Sequence, residues 1–184
     1  MRDIKARPLI LLLGAAGSGK SAVAIELEKR YSLKQCSSYT TREPRFKDEP
    51  GHRFVEYEFM LQMMMDHMLV ASTMVDGHLY GATQSMVDDA DIYVIDPRGA
   101  IELHEMYASE RPIYYVYLYA PEDELEHRLT DRGTKDDIER RKQHNQEIQD
   151  QAYYAGSLYE FSLYKENRDF DECVDAVAKF VGLE

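Results

Sequence analysis

Basic residues are scarce in this chain. Its 184 positions hold 22 lysines and arginines against 34 aspartates and glutamates, which gives a net charge of −12. A surface this acidic repels phosphate backbones and anionic headgroups, so we expect neither a nucleic acid nor a membrane as partner. A nucleotide-binding enzyme stays compatible with this charge, because a few basic residues can converge on one site.

Cysteines and long apolar runs are also scarce. Cys36 and Cys173 are the only cysteines, and they lack the spacing of metal ligands, so we expect two reduced, buried thiols. The apolar run near the N-terminus covers only residues 8–13, which is too short for a signal peptide or a membrane span. The expected compartment is therefore the cytoplasm.

The most informative motif reads Gly-Ala-Ala-Gly-Ser-Gly-Lys-Ser and matches the phosphate-binding pattern G-x-x-x-x-G-K-[ST]. It follows the apolar run at 8–13, which predicts a buried strand, and it opens a helical pattern at 20–31. In this context the motif predicts a loop whose N–H groups and helix N-terminus bind an anion, and a chance glycine turn is the weaker alternative. The predicted ATP-binding residues are Gly14, Ala15, Ala16, Gly17, Ser18, Gly19, Lys20 and Ser21.

Two residues of this motif have specific chemistry. Lys20 is expected to reach the outer phosphates of ATP, and Ser21 is expected to bind the Mg²⁺ that accompanies the nucleotide. The six histidines show no metal-ligand spacing, so we predict them to be surface or packed residues and assign no metal other than Mg²⁺.

The order of the remaining segments predicts an α/β fold. Apolar runs at 8–13, 92–95, 113–119 and 160–164 alternate with helical patterns at 20–31, 99–108, 122–131, 138–155 and 171–181. This alternation is typical of a parallel sheet covered on both faces, with ligands bound beyond the carboxyl ends of the strands. The phosphate-binding loop and Asp96 both follow such strand ends, so we expect them to share one crevice.

Residues 37–83 interrupt the alternation, and we predict that they form an inserted subdomain. Residues 56–69 read as a helix within it. Met60, Met64 and Met68 recur there at four-residue spacing, which predicts the buried face of an amphipathic helix.

The stretch 37–45, Ser-Ser-Tyr-Thr-Thr-Arg-Glu-Pro-Arg, resembles the Ser-x-Thr-Thr-Arg-x-Pro-Arg segment of guanylate kinases, which transfer a phosphate from ATP to GMP. Blocks at 49–54, 77–81, 95–99 and 125–134 also resemble that family and follow in its order. The resemblance implies one domain with a P-loop NTPase three-layer fold and a parallel core sheet. The core would be residues 1–36, 84–130 and 142–184, the acceptor-binding insert 37–83, and the lid 131–141.

The resemblance also implies roles for particular residues. Acceptor-binding residues would be Ser38 and Asp96 at the base, Arg42, Arg45 and Tyr80 at the phosphate, and Thr83, which follows a family serine position. Lys20 and the lid arginines Arg128, Arg132 and Arg141 would carry the catalysis. Asn167 would lie near the adenine of ATP.

For several of these residues the sequence leaves a plainer alternative. Asp96 could cap a helix, since Asp is favoured at that position. Arg128 could form ion pairs with Glu124 and Glu126 on its own helix. Asn167 could belong to an ordinary turn.

The chain departs from the family where the base is read. Ala71 and Val94 stand at two carboxylate positions, Ala82 at a serine, and Phe54 at a phosphate-binding tyrosine. An unpaired buried donor of guanine costs on the order of 1–3 kcal/mol, so the preference for guanine would weaken by roughly tenfold to a hundredfold.

A shift of the chain before Gly77 is the alternative to this loss, because it would bring the carboxylate of Asp66 or Asp76 to the base.

These observations predict an ATP-dependent phosphotransferase that acts on a nucleoside monophosphate, GMP or dGMP before others. One alternative is a kinase of the same fold that takes a phosphorylated ribose or another nucleotide. The other is a non-catalytic binding module, which the intact Gly19-Lys20-Ser21 disfavours. No pattern in the sequence indicates the oligomeric state.

Overall fold

The computed structural model describes residues 7–44, 46–130 and 148–183. Its core is a four-stranded parallel sheet in the order β6-β1-β7-β8. The strands are β1 (Leu9–Gly14), β6 (Ile92–Val94), β7 (Ile113–Tyr119) and β8 (Phe161–Glu166). All six residues of β1 are buried, as expected for a central strand covered on both faces.

Helices cover both faces of the core sheet. They are α1 (Lys20–Tyr31), α4 (Pro97–Met106), α6 (residues 148–157) and α7 (Phe170–Phe180), while α5 (Glu122–Thr130) follows β7. Leu9, Leu11 and Leu13 pack on the side of α4 and α6, whereas Ile10 and Leu12 pack on the side of α1 and α7. This arrangement confirms the predicted three-layer α/β fold.

A second sheet is built from residues 38–83 in the order β3-β2-β5-β4. Its strands are β2 (Ser38–Thr40), β3 (His52–Phe54), β4 (Leu69–Val75) and β5 (His78–Thr83). The turn Asp76–Gly77 joins β4 to β5, and both residues have positive φ, 52° and 80°. Asp-Gly is the sequence that a two-residue hairpin turn of this kind favours. Helix α2 (Tyr57–Met65) precedes β4, and α3 (Gln84–Asp88) follows β5.

The helix predicted over 56–69 is wrong at its C-terminal end. Helix α2 ends at Met65, His67 has a left-handed φ of 52°, and the following apolar residues form β4 instead. The predicted methionine stripe is wrong as well, because Met64 and Met68 are exposed while Met60 and Met63 are buried. A continuous apolar run conceals the point at which the helical period changes to that of a strand.

The second sheet meets the core where β4 lies beside α4. Glu102 of α4 accepts hydrogen bonds from the backbone N–H of Ser72 and from Ser72 Oγ, the latter at 2.8 Å. Because β4 is the last strand of its sheet, this contact pairs an N–H that no strand pairs. Within the described residues, no helix has both the length and the apolar character that crossing a membrane requires.

Candidate active site

The phosphate-binding loop lies between the end of β1 and the start of α1. Gly14, Gly17 and Gly19 have φ values of 143°, 86° and 94°, which side chains rarely allow. A Cβ on Gly14 would lie 2.1 Å from the carbonyl oxygen of Leu118, and one on Gly19 would lie 2.2 Å from Nδ2 of Asn167. Glycine is therefore required at both positions by conformation and by space.

The side chains of the loop are placed as a nucleotide site needs them. Lys20 donates from Nζ to the carbonyl oxygens of Gly14 and Ala15, at 2.7 and 2.8 Å, so its ammonium group lies within the loop. Ser21 is exposed in the first turn of α1, where a hydroxyl can contact a metal ion. All eight predicted ATP-binding residues of the motif lie in this one segment, 14–21.

Asn167 forms a hydrogen bond with the backbone of the phosphate-binding loop. It is 3% exposed, its backbone N–H donates to Tyr119 O at 2.7 Å, and its Nδ2 donates to Ser18 O at 2.8 Å. A side chain this buried and committed to the loop backbone is a structural partner of the loop, which is more than a plain turn residue. Nothing in the sequence indicated this hydrogen bond, and a place near the adenine stays a prediction.

Arg128 reaches the same loop from α5. Its guanidinium donates to Gly17 O at 3.3 Å and to Asn167 O at 3.1 Å, and it forms an ion pair with Glu124 at 2.7 Å. The ion pair within the helix is therefore present for Glu124, and the role of Arg128 at the phosphates stays a prediction. The other two predicted lid arginines, Arg132 and Arg141, lie outside the described residues, as does the segment 131–141.

In the second sheet and its loops, Arg42 is the centre of a half-buried polar cluster. It forms two parallel hydrogen bonds with Glu49, 3.0 and 2.9 Å long, and its guanidinium lies 5.4 Å from the ring centre of Phe54. Burial pulls the pKa of Arg42 down, but hydrogen bonds with Glu49 and Tyr80 outweigh it, so the pKa is raised and the charge is permanent. Arg45 lies outside the described residues.

Asp96 caps α4 through only one of its two carboxylate oxygens. Its Oδ1 accepts from the N–H of Gly99 at 2.9 Å, so the capping alternative is correct. Its Oδ2 is buried with no hydrogen-bond partner among the described residues, and so is Oγ1 of Thr73. Both residues line one small cavity. The backbone of Ile95 donates to Leu12 O at 3.1 Å, which places Asp96 at the same strand edge as the phosphate-binding loop.

Thr83 caps a helix too, because its Oγ1 accepts from the N–H of Met86 at 3.4 Å at the start of α3. The hydroxyl predicted for the acceptor is thus engaged by the backbone. Thr83 lies at the end of β5, three residues after Tyr80.

The alternative in which a shifted loop supplies a carboxylate is wrong. Ala71 pairs with Ala82, and the register continues without a shift to the pair Val75 and His78. Asp66 caps the end of α2, and Asp76 lies in the hairpin turn, where both are exposed. Neither aspartate therefore lies at position 71, where alanine pairs with Ala82.

Three residues beside these groups were missed by the sequence reasoning: Glu49, His52 and Thr73. Each of the three lies next to a predicted site residue only because strands pair or a loop folds back. Spacing along the chain therefore could not indicate that they belong to the site. The one available signal was the alternation of His52 with Phe54, since residues two apart on a strand share a face.

Comparison with known proteins agrees with this geometry. The guanylate kinase family model matches residues 5–184. This chain belongs to the guanylate kinase family. Membership confirms the expected class of enzyme, a nucleoside monophosphate kinase, and with it ATP-dependent phosphotransfer.

Individual relatives are moderately similar to the chain. It is 27% identical over 173 residues to a guanylate kinase of Chlamydia abortus, covering 86% of this chain and 80% of the relative. It is 33% identical over 139 residues to one of Nitratidesulfovibrio vulgaris, covering 70% and 66%. A crystal structure of guanylate kinase from Anaplasma phagocytophilum superposes with a TM-score of 0.63 at 20% identity, over 97% of this chain and 87% of that one. That likeness shows the shared fold.

Proposed function

We propose that this chain transfers the γ-phosphate of ATP to the phosphate of GMP or dGMP, giving GDP or dGDP. The observation that carries the proposal is the position of Asp96. It follows β6 directly beside the strand that ends in the phosphate-binding loop, and its unpartnered Oδ2 is buried. One strand edge thus offers an anion site and, beside it, an acceptor for N–H groups of a base.

The donor half of the reaction is assigned to the loop. Backbone N–H groups of residues 14–21 would bind the phosphates of ATP, and Lys20 would exchange its loop carbonyls for phosphate oxygens. Among the described residues, no group of three or more His, Cys, Asp or Glu side chains could hold a metal ion, so Ser21 and the nucleotide would bind Mg²⁺ together. That ion would neutralise charge on the transferred group.

The acceptor half is assigned to the second sheet. Arg42 and Tyr80, together with Arg45, would bind the phosphate of the monophosphate, and Arg42 Nε is buried with no partner among the described residues. Ser38 and Asp96 would face the base. Asp96 is the only carboxylate retained there, since Ala71 and Val94 replace the other two.

Catalysis would come from positioning and from charge, because the attacking phosphate oxygen is already an anion. Lys20, Arg128, Arg132 and Arg141 would stabilise the charge that spreads over the transferred group. As part of the proposal we keep the division into core, insert 37–83 and lid 131–141, and the cytoplasm as the site of action.

The test is a panel of acceptors. The protein is incubated with ATP and Mg²⁺ and with GMP, dGMP, IMP, AMP, CMP, UMP or ribose 5-phosphate, and ADP release is followed. Preferential turnover of GMP and dGMP supports the proposal. Turnover of a non-guanine acceptor alone supports the second candidate, which the alanines at 71 and 82 favour. No turnover with any acceptor overturns both.

A further inference from the structure

A histidine lies on the acceptor face of the second sheet. His52 pairs with Ser38 in the register of β3 and β2, two residues before the pair of Phe54 with Thr40. Alternate residues of a strand share a face, so His52 and Phe54 lie on the face that carries Ser38. The imidazole ring is 5.7 Å from the ring of Tyr80 and 6.2 Å from that of Phe54. The ring thus lies beside Tyr80, which is proposed to bind the phosphate of the acceptor.

His52 contacts the hydroxyl proposed to read the base. Its Nδ1 lies 3.2 Å from Oγ of Ser38, and Ser38 is 3% exposed. A serine hydroxyl has one proton to donate and two lone pairs that accept. When Nδ1 carries a proton, it donates to Ser38, and the Ser38 proton turns towards the base. When Nδ1 is bare, Ser38 donates to the ring, and its lone pairs face the base.

We propose that His52 is a positioning residue that sets the direction of the Ser38 hydroxyl and thereby selects a 6-oxopurine over a 6-aminopurine. This inference rests on the proposed function. A 6-oxo group needs a donor, which Ser38 supplies when His52 donates to it. A 6-amino group needs an acceptor, which Ser38 supplies only when it donates to His52.

The arrangement makes base selection depend on pH. An imidazolium donates from both nitrogens, whereas neutral imidazole donates from one, and an unperturbed imidazole changes between these two forms within about pH 5 to 8. Protonation therefore fixes Ser38 as a donor to the base. Preference for the 6-oxopurine is greatest at low pH and declines as the ring loses its proton.

Several charged and titratable groups lie near the ring in the part of the chain that the structure describes. Tyr80 faces it from β5, and the loop between β2 and β3 contributes Arg42 and Glu49, which neutralise each other as an ion pair. Arg53, next along β3, lies on the opposite face, 5.9 Å from the ring of Tyr39.

The experiment compares GMP with the 5′-monophosphate of 2,6-diaminopurine riboside, which keeps the 2-amino group and replaces the 6-oxo group with an amine. The ratio of their kcat/KM values is measured from pH 6.0 to 8.5. Taking a ratio cancels the titration of the phosphate and of residues that act on both nucleotides. We expect the preference for GMP to fall about fivefold or more as pH rises, within the range that one buried hydrogen bond supports.

Four variants complete the test. In His52→Gln, which does not titrate, the ratio should be flat with pH, and His52→Asn gives the same readout should the first variant fold poorly. His67→Asn removes an exposed histidine at a left-handed position that Asn tolerates, so it should retain the pH profile of the parent protein. Ser38→Ala should remove the pH dependence together with the hydroxyl.

A flat ratio in the parent protein overturns the role of His52, and so does an unaltered profile in His52→Gln. Both nucleotides are also titrated by calorimetry, so the ratio of dissociation constants decides the matter even without turnover. Absence of turnover with every acceptor would instead overturn the proposed function. The two failures are therefore distinguishable.

Discussion

Asn167 donates a 2.8 Å hydrogen bond from its Nδ2 to the carbonyl oxygen of Ser18 and fills the space that a side chain at Gly19 would need. The turn after β8 thus fixes the backbone of a loop almost 150 residues earlier in the chain. Since anion binding requires the loop N–H groups to converge, this contact couples the C-terminal part of the core to nucleotide binding.

We expect Asn167→Ala to weaken ATP binding. The change leaves the Ser18 carbonyl without its donor, at a cost of about 1–3 kcal/mol, so the KM for ATP should rise roughly tenfold while the KM for GMP changes little. Steady-state kinetics with each substrate varied in turn measure both constants. Arg168→Ala removes the adjacent, 69% exposed side chain and serves as control. An unchanged KM for ATP in Asn167→Ala would remove the residue from the nucleotide site.

Lys20→Ala should abolish transfer while the fold persists. Lys20 bonds two carbonyls of its own loop, so its loss affects few contacts outside the site. We expect kcat to fall on the order of 10²–10³-fold, as when one stabilising donor is removed from a transition state, with little change in Tm. The control is Lys29→Ala, which removes a 78% exposed lysine from the same helix. Full activity in Lys20→Ala would reject the assigned role.

Arg42→Lys should raise the KM for GMP by about tenfold or more and leave that for ATP unchanged. Lysine retains the charge but loses the planar fork that bonds Glu49 and lies over Phe54. Arg53→Lys makes the same change on the opposite face of the sheet and should be near neutral. Equal KM values for GMP in Arg42→Lys and Arg53→Lys would place Arg42 outside the acceptor site.

Asp96→Asn should lower kcat/KM for GMP by about tenfold to a hundredfold. Asn caps helices as well as Asp does, so α4 keeps its cap and the free energy of unfolding should change by less than about 1 kcal/mol. What changes is the buried Oδ2, which loses its charge. Asp169→Asn is the matched control, since Asp169 caps α7 through the same kind of bond, to Glu172 N at 2.9 Å. Similar kinetics in both variants would show that Asp96 only caps.

The two thiols should be inert in the native protein. Burial raises the pKa of Cys36 to about 12 and that of Cys173 to about 11, from 9.0. Because each thiol has a higher pKa in the folded chain than in the unfolded chain, folding is favoured fully at pH values below about 9, where both states hold the proton. This contribution to the free energy of unfolding is lost as the pH rises from about 9 through 11 and 12. Alkylation at pH 8 should therefore be slow until urea unfolds the chain, and the urea midpoint should fall above pH 9. Rapid labelling of the native protein would contradict this.

The sequence predicted what is encoded locally. The loop at 14–21 carries its own glycines, and its strand and helix adjoin it, so no distant contact had to be known. The Asp96 cap of α4 is local as well. In the same way, the apolar composition of residues 113–119 is sufficient to predict the strand β7.

What the sequence did not predict depends on contacts between distant residues. The register that sets His52 beside Ser38, and the ion pair that sets Glu49 on Arg42, arise only when strands and loops pair. The wrong methionine stripe has a related cause, since an apolar helix end and an apolar strand look alike in one dimension.

The carboxylate of Glu102 also bears on how copies of this chain behave when concentrated. The last strand of a sheet has unpaired backbone N–H groups, which can pair with a strand of a second molecule. Here Glu102 of α4 accepts a hydrogen bond from the Ser72 N–H, and α4 lies alongside β4, where it blocks the approach of another strand. Glu102→Ala, which removes the acceptor altogether, would leave the Ser72 N–H without this partner, and we expect the variant to aggregate more readily at high concentration than the parent protein.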